Sequence, residues 1–381
     1  MQTLGVGIIG YGFMGRVHTY DYRSLPIYYE PVPVRTKLVG VADAVPERAR
    51  RAVEEAGFEF CTTDWRELVA RDDIDIIDIC SPNSLHTEQL LAAMAAGKHI
   101  YCDKPLVVGE EAMARVEVAL RGYRGVGQMA LQYRFYPATL RSKQLMEGGF
   151  VGNVISFRGA HLHSGNVDPM KPMGWKQLKS EGGGALHDIG PHIVDMIDFL
   201  VGPLASVYAQ THILYPQRPN ARGEMVPVEA EDLMILLAKL PNGTIGVIET
   251  SKIATGAEDE LRFEIHGDKG ALRFNSMDPN YLDAYDLRDA EAPLGGERGW
   301  CRIACVQRYS KPAGFPGPKF SIGWTRAHLH SLYNFLAAIA TGKPPQPSLL
   351  DGLHLQYLLA AAEKSSRTQT WQSLPERTAN A

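Results

Sequence analysis

The sequence predicts an α/β fold: an N-terminal doubly wound parallel sheet of the Rossmann type, followed by an α+β domain on an open, mostly antiparallel sheet. Three observations carry that expectation. Short apolar runs alternate with helix-length segments through residues 1–132. A glycine-rich turn follows the first run directly. From about Val151 longer strand-like stretches, joined by hairpin signals, replace the alternation. The expected division is therefore an N-terminal domain over 1–132 and a C-terminal domain over 133–381.

The first run, Leu4 to Ile9, suits a buried parallel strand. It leads into Gly10-Tyr11-Gly12-Phe13-Met14-Gly15, a G-x-G-x-x-G spacing, and then a helix expected through Ser24. Gly10 permits the tight turn, Gly12 lets backbone approach a pyrophosphate, and Gly15 lets helix and strand pack closely. The free N–H groups of the helix start, Phe13 and Met14 among them, favour phosphate. The next strand, Lys37–Ala42, is closed by Asp43. A carboxylate there accepts from ribose hydroxyls and repels a 2′-phosphate, which favours NAD over NADP. Asp43 lies beyond the usual spacing of about 20 residues. The excess is Pro26–Arg35, whose three prolines predict an extended loop. A helix cap is the competing role for Asp43, because Pro46-Glu47 opens the next helix.

Further strands are expected at Phe58–Cys61, Ile74–Cys80, His99–Cys102 and Gly125–Ala130, with helices between them. Ligands of such sheets bind beyond the carboxyl ends of the strands. Two loops lie there, Ser81–His86 and Cys102–Pro105. They supply Ser81, Asn83, His86, Asp103 and Lys104 as further cofactor-binding candidates. Cys61, Cys80 and Cys102 fall at strand ends and read as small buried hydrophobes. Cys301 and Cys305 lack a second pair, so no metal site is expected.

Composition excludes other classes. The 39 basic and 43 acidic residues give a net charge of -4, which lacks the basic face that nucleic acid requires. No apolar run approaches the roughly 18 residues of a membrane span. The start, MQTLGVGIIG, has no signal-peptide pattern. Five cysteines suit a reducing cytoplasm.

In the second domain strands are expected at Val154–His163, Ala205–Leu214, Asp232–Leu240, Thr244–Ser251, Leu261–His266 and Ala271–Asn275. Pro241–Thr244 and Gly267–Gly270 are the hairpin turns. Ser276–Phe320 reads as long loops. Helices at Asp188–Leu200, Arg326–Thr341 and Leu353–Ser365 are expected to cover one face of the sheet.

Two motifs make the chain resemble the glucose–fructose oxidoreductase / inositol dehydrogenase / MocA family. The first is Cys102-Asp103-Lys104-Pro105, entered by Gly97-Lys98-His99-Ile100, with Asp103 where the family carries glutamate. The second runs from Glu181 through Gly184, Leu186, Asp188, Gly190 and His192 to Asp195, similar to G-G-G-x-L-x-D-x-G-x-H-x-x-D. Gln132-Tyr133-Arg134, Gly342-Lys343-Pro344 and Asp351-Gly352 extend the likeness over essentially the whole chain. Within the family, levoglucosan and inositol dehydrogenases are most similar. The resemblance implies NAD, oxidation of a ring secondary hydroxyl of a cyclic polyol or pyranose sugar to a ketone, and a homo-oligomer, dimer or tetramer, built through the C-terminal sheet.

Such a reaction needs a base for the hydroxyl proton and a cation for the developing alkoxide. The expected set is His192 as general base and Lys104 as polarising cation. Asp188 orients His192 or contacts substrate, because residues four apart share a helix face. Pro191 complicates that geometry, and a helix starting at Asp188, with Asp188 as its cap, is the competing arrangement. Substrate-binding candidates also include Tyr133, Arg134, His163 and Trp175. His161 and His163 face one side of their strand and with His187 and Asp188 could form a metal group, but no metal is expected. The lack of a cationic cluster near the motifs favours a neutral substrate. A glycosidase working by transient oxidation and a nucleotide-sensing regulator are the alternatives.

Overall fold

A computed structural model describes residues 3–375; the outermost ends of the two expected domains, 1–2 and 376–381, lie outside the described residues. The chain divides into two compact units. One comprises residues 1–135, 309–317 and 323–356; the other comprises 136–308, 318–322 and 357–381.

The first unit begins β1 (Thr3–Ile9), α1 (Phe13–Tyr28), β2 (Arg35–Ala42), α2 (Pro46–Ala56), β3 (Phe60–Thr62) and α3 (Trp65–Val69). It continues β4 (Ile76–Ile79), α4 (His86–Ala95), β5 (His99–Cys102), α5 (Glu110–Gly122) and β6 (Gly127–Met129). The strands form one sheet in the order β3-β2-β1-β4-β5-β6, with every pair parallel. Ile76, Ile77 and Ile79 are all fully buried, as a strand covered on both faces requires. One expectation is corrected. The helix does not stop at Ser24 but runs through Pro26 to Tyr28. Pro26 faces solvent in the last turn, while buried Tyr22 and Leu25 hold that turn on the core. Tertiary packing outweighs the local cost of the proline.

The second unit carries α6 (Pro137–Glu147), β7 (Val154–Leu162), α7 (Ala185–Asp188), α8 (Gly190–Val201), β8 (Ser206–His212), β9 (Gln217–Pro219) and β10 (Met225–Pro227). Then come β11 (Leu233–Lys239), β12 (Ile245–Ser251), β13 (Glu260–Gly267), β14 (Gly270–Asn275), β15 (Tyr281–Asp286) and β16 (Trp300–Ala304). The chain closes with α9 (Trp324–Thr341), α10 (Leu349–Thr368) and β17 (Gln372–Ser373). Nine strands form a sheet in the order β16-β15-β14-β13-β7-β12-β11-β8-β17. Only β7 and β12 pair in parallel. Side chains alternate: Met234, Leu236 and Ile248 are buried, whereas Ile235, Ile245 and Val247 are exposed on the other face. Helix α8 packs on the buried face at Gly159, where a Cβ would lie 2.9 Å from Ile193.

Two more expectations change. Residues Ser276–Phe320 are not all loop, because β15 and β16 extend the sheet. Leu282 and Ala284 are buried between less buried Tyr281 and Asp283, a two-residue alternation masked by surrounding Gly and Pro. Helix α9 does not cover the second sheet. It packs on α1, and its Leu329, Leu332, Phe335 and Leu336 join Val6, Ile8 and Tyr101 in the first unit's core.

Candidate cofactor site and acid–base group

The glycine turn has the form its spacing requires. Gly10 adopts φ +93°, and a Cβ there would lie 2.7 Å from the Cys80 carbonyl oxygen. A Cβ on Gly15 would run into the Gly10 carbonyl. A Cβ on Gly12 would meet nothing, so its surface is open. Gly12 precedes α1 with no side-chain cap, which leaves the helix start to a ligand. Phe13 is exposed there and Met14 half-buried. These features fit a dinucleotide: Gly10–Gly15 would hold the pyrophosphate and Asp43 the ribose. Asp43 is also a fixed strut, accepting from Tyr11 N–H and Val45 N–H, both at 2.8 Å. The residue capping α2 is Val45, so Asp43 is not its cap.

The strand-end loops hold the remaining candidates. Ser81 Oγ donates to Gln89 Oε1 at 2.6 Å. Asn83 is buried in a short helical turn, 83–85. His86 departs from its expected role. It is fully buried, with Nδ1 at 2.8 Å from the Pro105 carbonyl and Nε2 at 3.0 Å from that of Ser81. Burial pushes its pKa down. His86 therefore braces the two loops together and has no surface to offer a cofactor. Asp103 accepts from Lys104 N–H at 2.8 Å, which fixes the backbone that carries the half-buried Lys104. Tyr133 and Arg134 are both buried in a 3-10 turn, 132–135.

Beneath the turn, Cys80 is more than a small hydrophobe. Its thiol donates to Asp78 Oδ1 at 3.3 Å and lies 3.1 Å from His18 Nδ1, while His18 and Asp78 pair at 2.8 Å. These three residues are the one set with metal-ligand spacing among the described residues. Their short contacts are accounted for by hydrogen bonding. Burial acts to lower the His18 pKa, but the charge and hydrogen bond of Asp78, with Asp103 and Asp21, outweigh it and raise it to about 9. The stabilisation is then complete below pH 6.5 and lost as pH rises toward 9. Urea unfolding across that window is expected to show stability falling by up to about 1.4 kcal/mol per pH unit. In His18→Gln that slope should vanish; an unchanged slope would assign it to other groups.

On the second unit, the 181–192 motif does not form one helix. Gly182 and Gly184 have φ of +70° and +99°, and α7 ends at Asp188 before α8 starts at Gly190. Pro191 sits in the first turn of α8, where its missing N–H costs nothing. Neither expected arrangement holds: Asp188 and His192 lie on two successive helices, and Ile189 occupies the cap position. Glu231, buried, accepts from Leu186 N–H at 2.8 Å, and its carbonyl accepts from Ala185 N–H at 2.8 Å. Burial raises the Glu231 pKa. A Cβ on Gly184 would strike that carboxylate, which explains the glycine run.

Asp188 is buried, and its Oδ2 forms ion pairs with Lys252 Nζ at 2.7 Å and Lys176 Nζ at 3.0 Å. The expected absence of a cationic cluster is thereby corrected: Lys176, just before the motif, and Lys252, 64 residues beyond Asp188, meet at it. His192, also buried, lies with its ring 5.6 Å from that of His161. His161 Nδ1 bonds the Ile189 carbonyl at 2.9 Å and its Nε2 lies 2.8 Å from Asp259 Oδ1, which clamps the junction between α7 and α8. His163 Nδ1 accepts from Gly165 N–H at 2.7 Å, and burial lowers its pKa. His187 faces Glu363 instead, at 3.6 Å. Trp175 is part-exposed on a 3-10 turn, with Lys176 Nζ 5.4 Å from its ring centre.

Sequence reasoning missed Lys252, Lys176, Glu231 and Arg218. Fully buried Arg218 donates to the carbonyls of Asn166 and Asp168 and so supports the loop after β7. One signal existed: Lys252 directly follows an alternating strand that ends in two buried residues, Thr250 and Ser251.

A six-stranded parallel sheet with an open glycine turn and an acidic residue after β2 defines an NAD-binding oxidoreductase fold. Comparison with known proteins gives the family. Residues 4–124 match the oxidoreductase family with an NAD-binding Rossmann fold, GFO/IDH/MocA, and residues 139–273 match the GFO/IDH/MocA C-terminal domain. The chain belongs to the GFO/IDH/MocA family of NAD-binding oxidoreductases. It is 34% identical to levoglucosan dehydrogenase of Pseudarthrobacter phenanthrenivorans, over 99% of each chain. It is 26% identical to inositol 2-dehydrogenase of Rhizobium meliloti, over 96% of this chain and 97% of the other. The solved structure of a levoglucosan dehydrogenase in complex with NADH and levoglucosan superimposes with a TM-score of 0.93 at 34% identity, covering 98% of this chain and all of that one. Among the described residues, no helix is long and apolar enough to cross a membrane.

Proposed function

We propose that the protein oxidises a ring secondary hydroxyl of a pyranose sugar or cyclic polyol to a ketone, with NAD preferred over NADP. The observation that carries this reading is the buried pair of titratable residues at the α7–α8 junction: His192 in the first turn of α8, its ring 5.6 Å from that of His161, and Asp188, ion-paired with Lys252, four residues before it. His192 accepts the hydroxyl proton. Lys104 donates to the same oxygen and stabilises its developing negative charge. Asp188 orients the imidazole or a neighbouring substrate hydroxyl. Tyr133, Arg134, His163 and Trp175 complete the substrate candidates. NAD, when bound, accepts the hydride from the carbinol carbon. Asp43, already aimed by two backbone donors, excludes a 2′-phosphate by charge. The relatives' names, levoglucosan and inositol dehydrogenase, support the substrate class.

The test is NADH fluorescence with NAD or NADP and levoglucosan, myo-inositol, scyllo-inositol, glucose, galactose and methyl glucosides. Sustained NADH formation with one of them, and at least tenfold less with NADP, is expected. Release of aglycone from nitrophenyl glycosides without net NADH would replace this reading with a glycosidase. Lys104→Ala should lower kcat by about 10²-fold or more, the scale of one lost electrostatic stabiliser; near-normal turnover would remove Lys104 from the mechanism.

The exposed face carrying Ile235, Ile245 and Val247 supports a homo-oligomer built through that sheet. A mass above that of one chain is expected by light scattering at micromolar concentration. A strictly monomeric mass would sink it.

A further inference from the structure

We propose that Lys252 is a positioning residue for the reaction: its buried ammonium, delivered from the end of β12, holds Asp188 in place as a charged hydrogen-bond acceptor. The inference rests on the reading that Asp188 belongs to the acid–base group.

The Lys252 and Asp188 side chains are each only 6% exposed and meet at 2.7 Å, so water screens the pair little. Burying an ammonium is costly unless it is paired. A lysine at this depth is therefore tied to its carboxylate partner. Lys176 reaches the same oxygen at 3.0 Å, but its side chain is 51% exposed, and exposed pairs contribute little. Lys252 is the stronger anchor.

Its backbone is fixed on both sides. Lys252 N–H donates to the Asp232 carbonyl at 2.8 Å, and its own carbonyl accepts from Asn166 N–H at 2.8 Å. The Asp232 side chain accepts from Asn166 Nδ2 at 2.8 Å and from Leu214 N–H at 3.0 Å. The end of β12 is thus locked between the start of β11 and the loop after β7, and the ammonium has little freedom to leave. Such pre-set placement is what keeps a reacting geometry within tolerance.

The consequence is a division of labour. An ammonium at this distance favours the carboxylate over the acid. Asp188 then only accepts hydrogen bonds, and the proton taken from substrate stays on His192. Among the described residues, Lys176 shares the Asp188 oxygen, His163 feels the Lys252 charge, and His161, Asp259 and His192 follow on from His163. They are common to every variant below, so differences between variants report on Lys252.

The experiment compares Lys252→Met, Lys252→Arg and Asp188→Asn in the full chain, with levoglucosan and NAD as the assay pair. In Lys252→Met, kcat should fall by ten- to a hundredfold, and the acidic limb of the kcat/KM profile should move up by at least one pH unit. NADH affinity, read by fluorescence, should stay within twofold. Lys252→Arg should restore the limb and most of kcat. In urea unfolding at neutral pH, the double variant Lys252→Met/Asp188→Asn should be less destabilised than the sum of the single ones. If Lys252→Met does not fold, Lys252→Gln takes its place with the same outcomes expected. A kcat within threefold of wild type, or a loss with an unmoved acidic limb and no rescue by arginine, overturns the proposal. Asp188→Asn separates the two levels. Retained turnover there removes Asp188 from the acid–base group altogether. Loss there, together with an unaffected Lys252→Met, overturns only the role of Lys252. If levoglucosan is not turned over, the substrate reading is what fails, and an additive double variant in unfolding then overturns the Lys252–Asp188 pair independently.

Discussion

Replacing His192 with alanine is expected to lower kcat by about 10²–10⁴-fold, the usual contribution of a positioned general base. His192 is buried in the first turn of α8, and its ring stands 5.6 Å from that of His161. His161 is held at both nitrogens, by the Ile189 carbonyl and Asp259, so this part of the wall stays when His192 is cut back. The loss should therefore appear in kcat, with NADH affinity unchanged. It should also depend on pH. Without an internal base the reaction draws on hydroxide, so residual activity should rise about tenfold per pH unit. Stopped-flow and steady-state NADH fluorescence over pH 6–10 would measure both. Turnover within tenfold of wild type would remove His192 as base.

The second large effect concerns the glycine turn. In Gly12→Val, NADH affinity should fall at least a hundredfold while the fold is kept. A Cβ at Gly12 meets no packed atom within 4 Å, so the position has room for a side chain. The change in unfolding free energy should stay within about 1 kcal/mol, as for a surface substitution. The open space is where a pyrophosphate must come against backbone, and a valine fills it. Gly15→Val makes the contrast, because its Cβ runs into the Gly10 carbonyl and the turn itself must distort. Isothermal calorimetry with NADH, alongside thermal unfolding, separates the two. Normal NADH binding by Gly12→Val would place the phosphates elsewhere.

Much of the first unit was legible because its signals are local. A parallel strand buried on both faces must be continuously apolar, and the glycine spacing follows from steric limits inside six residues. The end of α1 was misread because proline is a local signal and the packing of Tyr22 and Leu25 is not. β15 and β16 were missed because their stability comes from pairing, β15 with β14 and β16 with β15, not from their own composition. Helix α9 was assigned to the wrong unit for a related reason. An amphipathic stripe reveals that a helix packs but not on what, and α9 packs on α1 from the opposite end of the sequence.

The acid–base group shows the same boundary. Asp188 and His192 stand in one motif, and their residue types announced proton chemistry. The break at Ile189 puts them on separate helices, and Glu231, far along the chain, holds the start of α7. His86 looked like a ligand contact because its loop lies at a strand end; burial between two carbonyls made it a brace. By itself the sequence determined the class of fold, the nucleotide turn, the acidic residue after β2 and the types of group available for chemistry, because each depends on a few neighbouring residues. Only the tertiary structure decided that Lys252 and Lys176 meet Asp188 and that His161 braces the α7–α8 junction. Those contacts join residues 12 to 64 positions apart, and a charge buried by folding has no local signature in the chain.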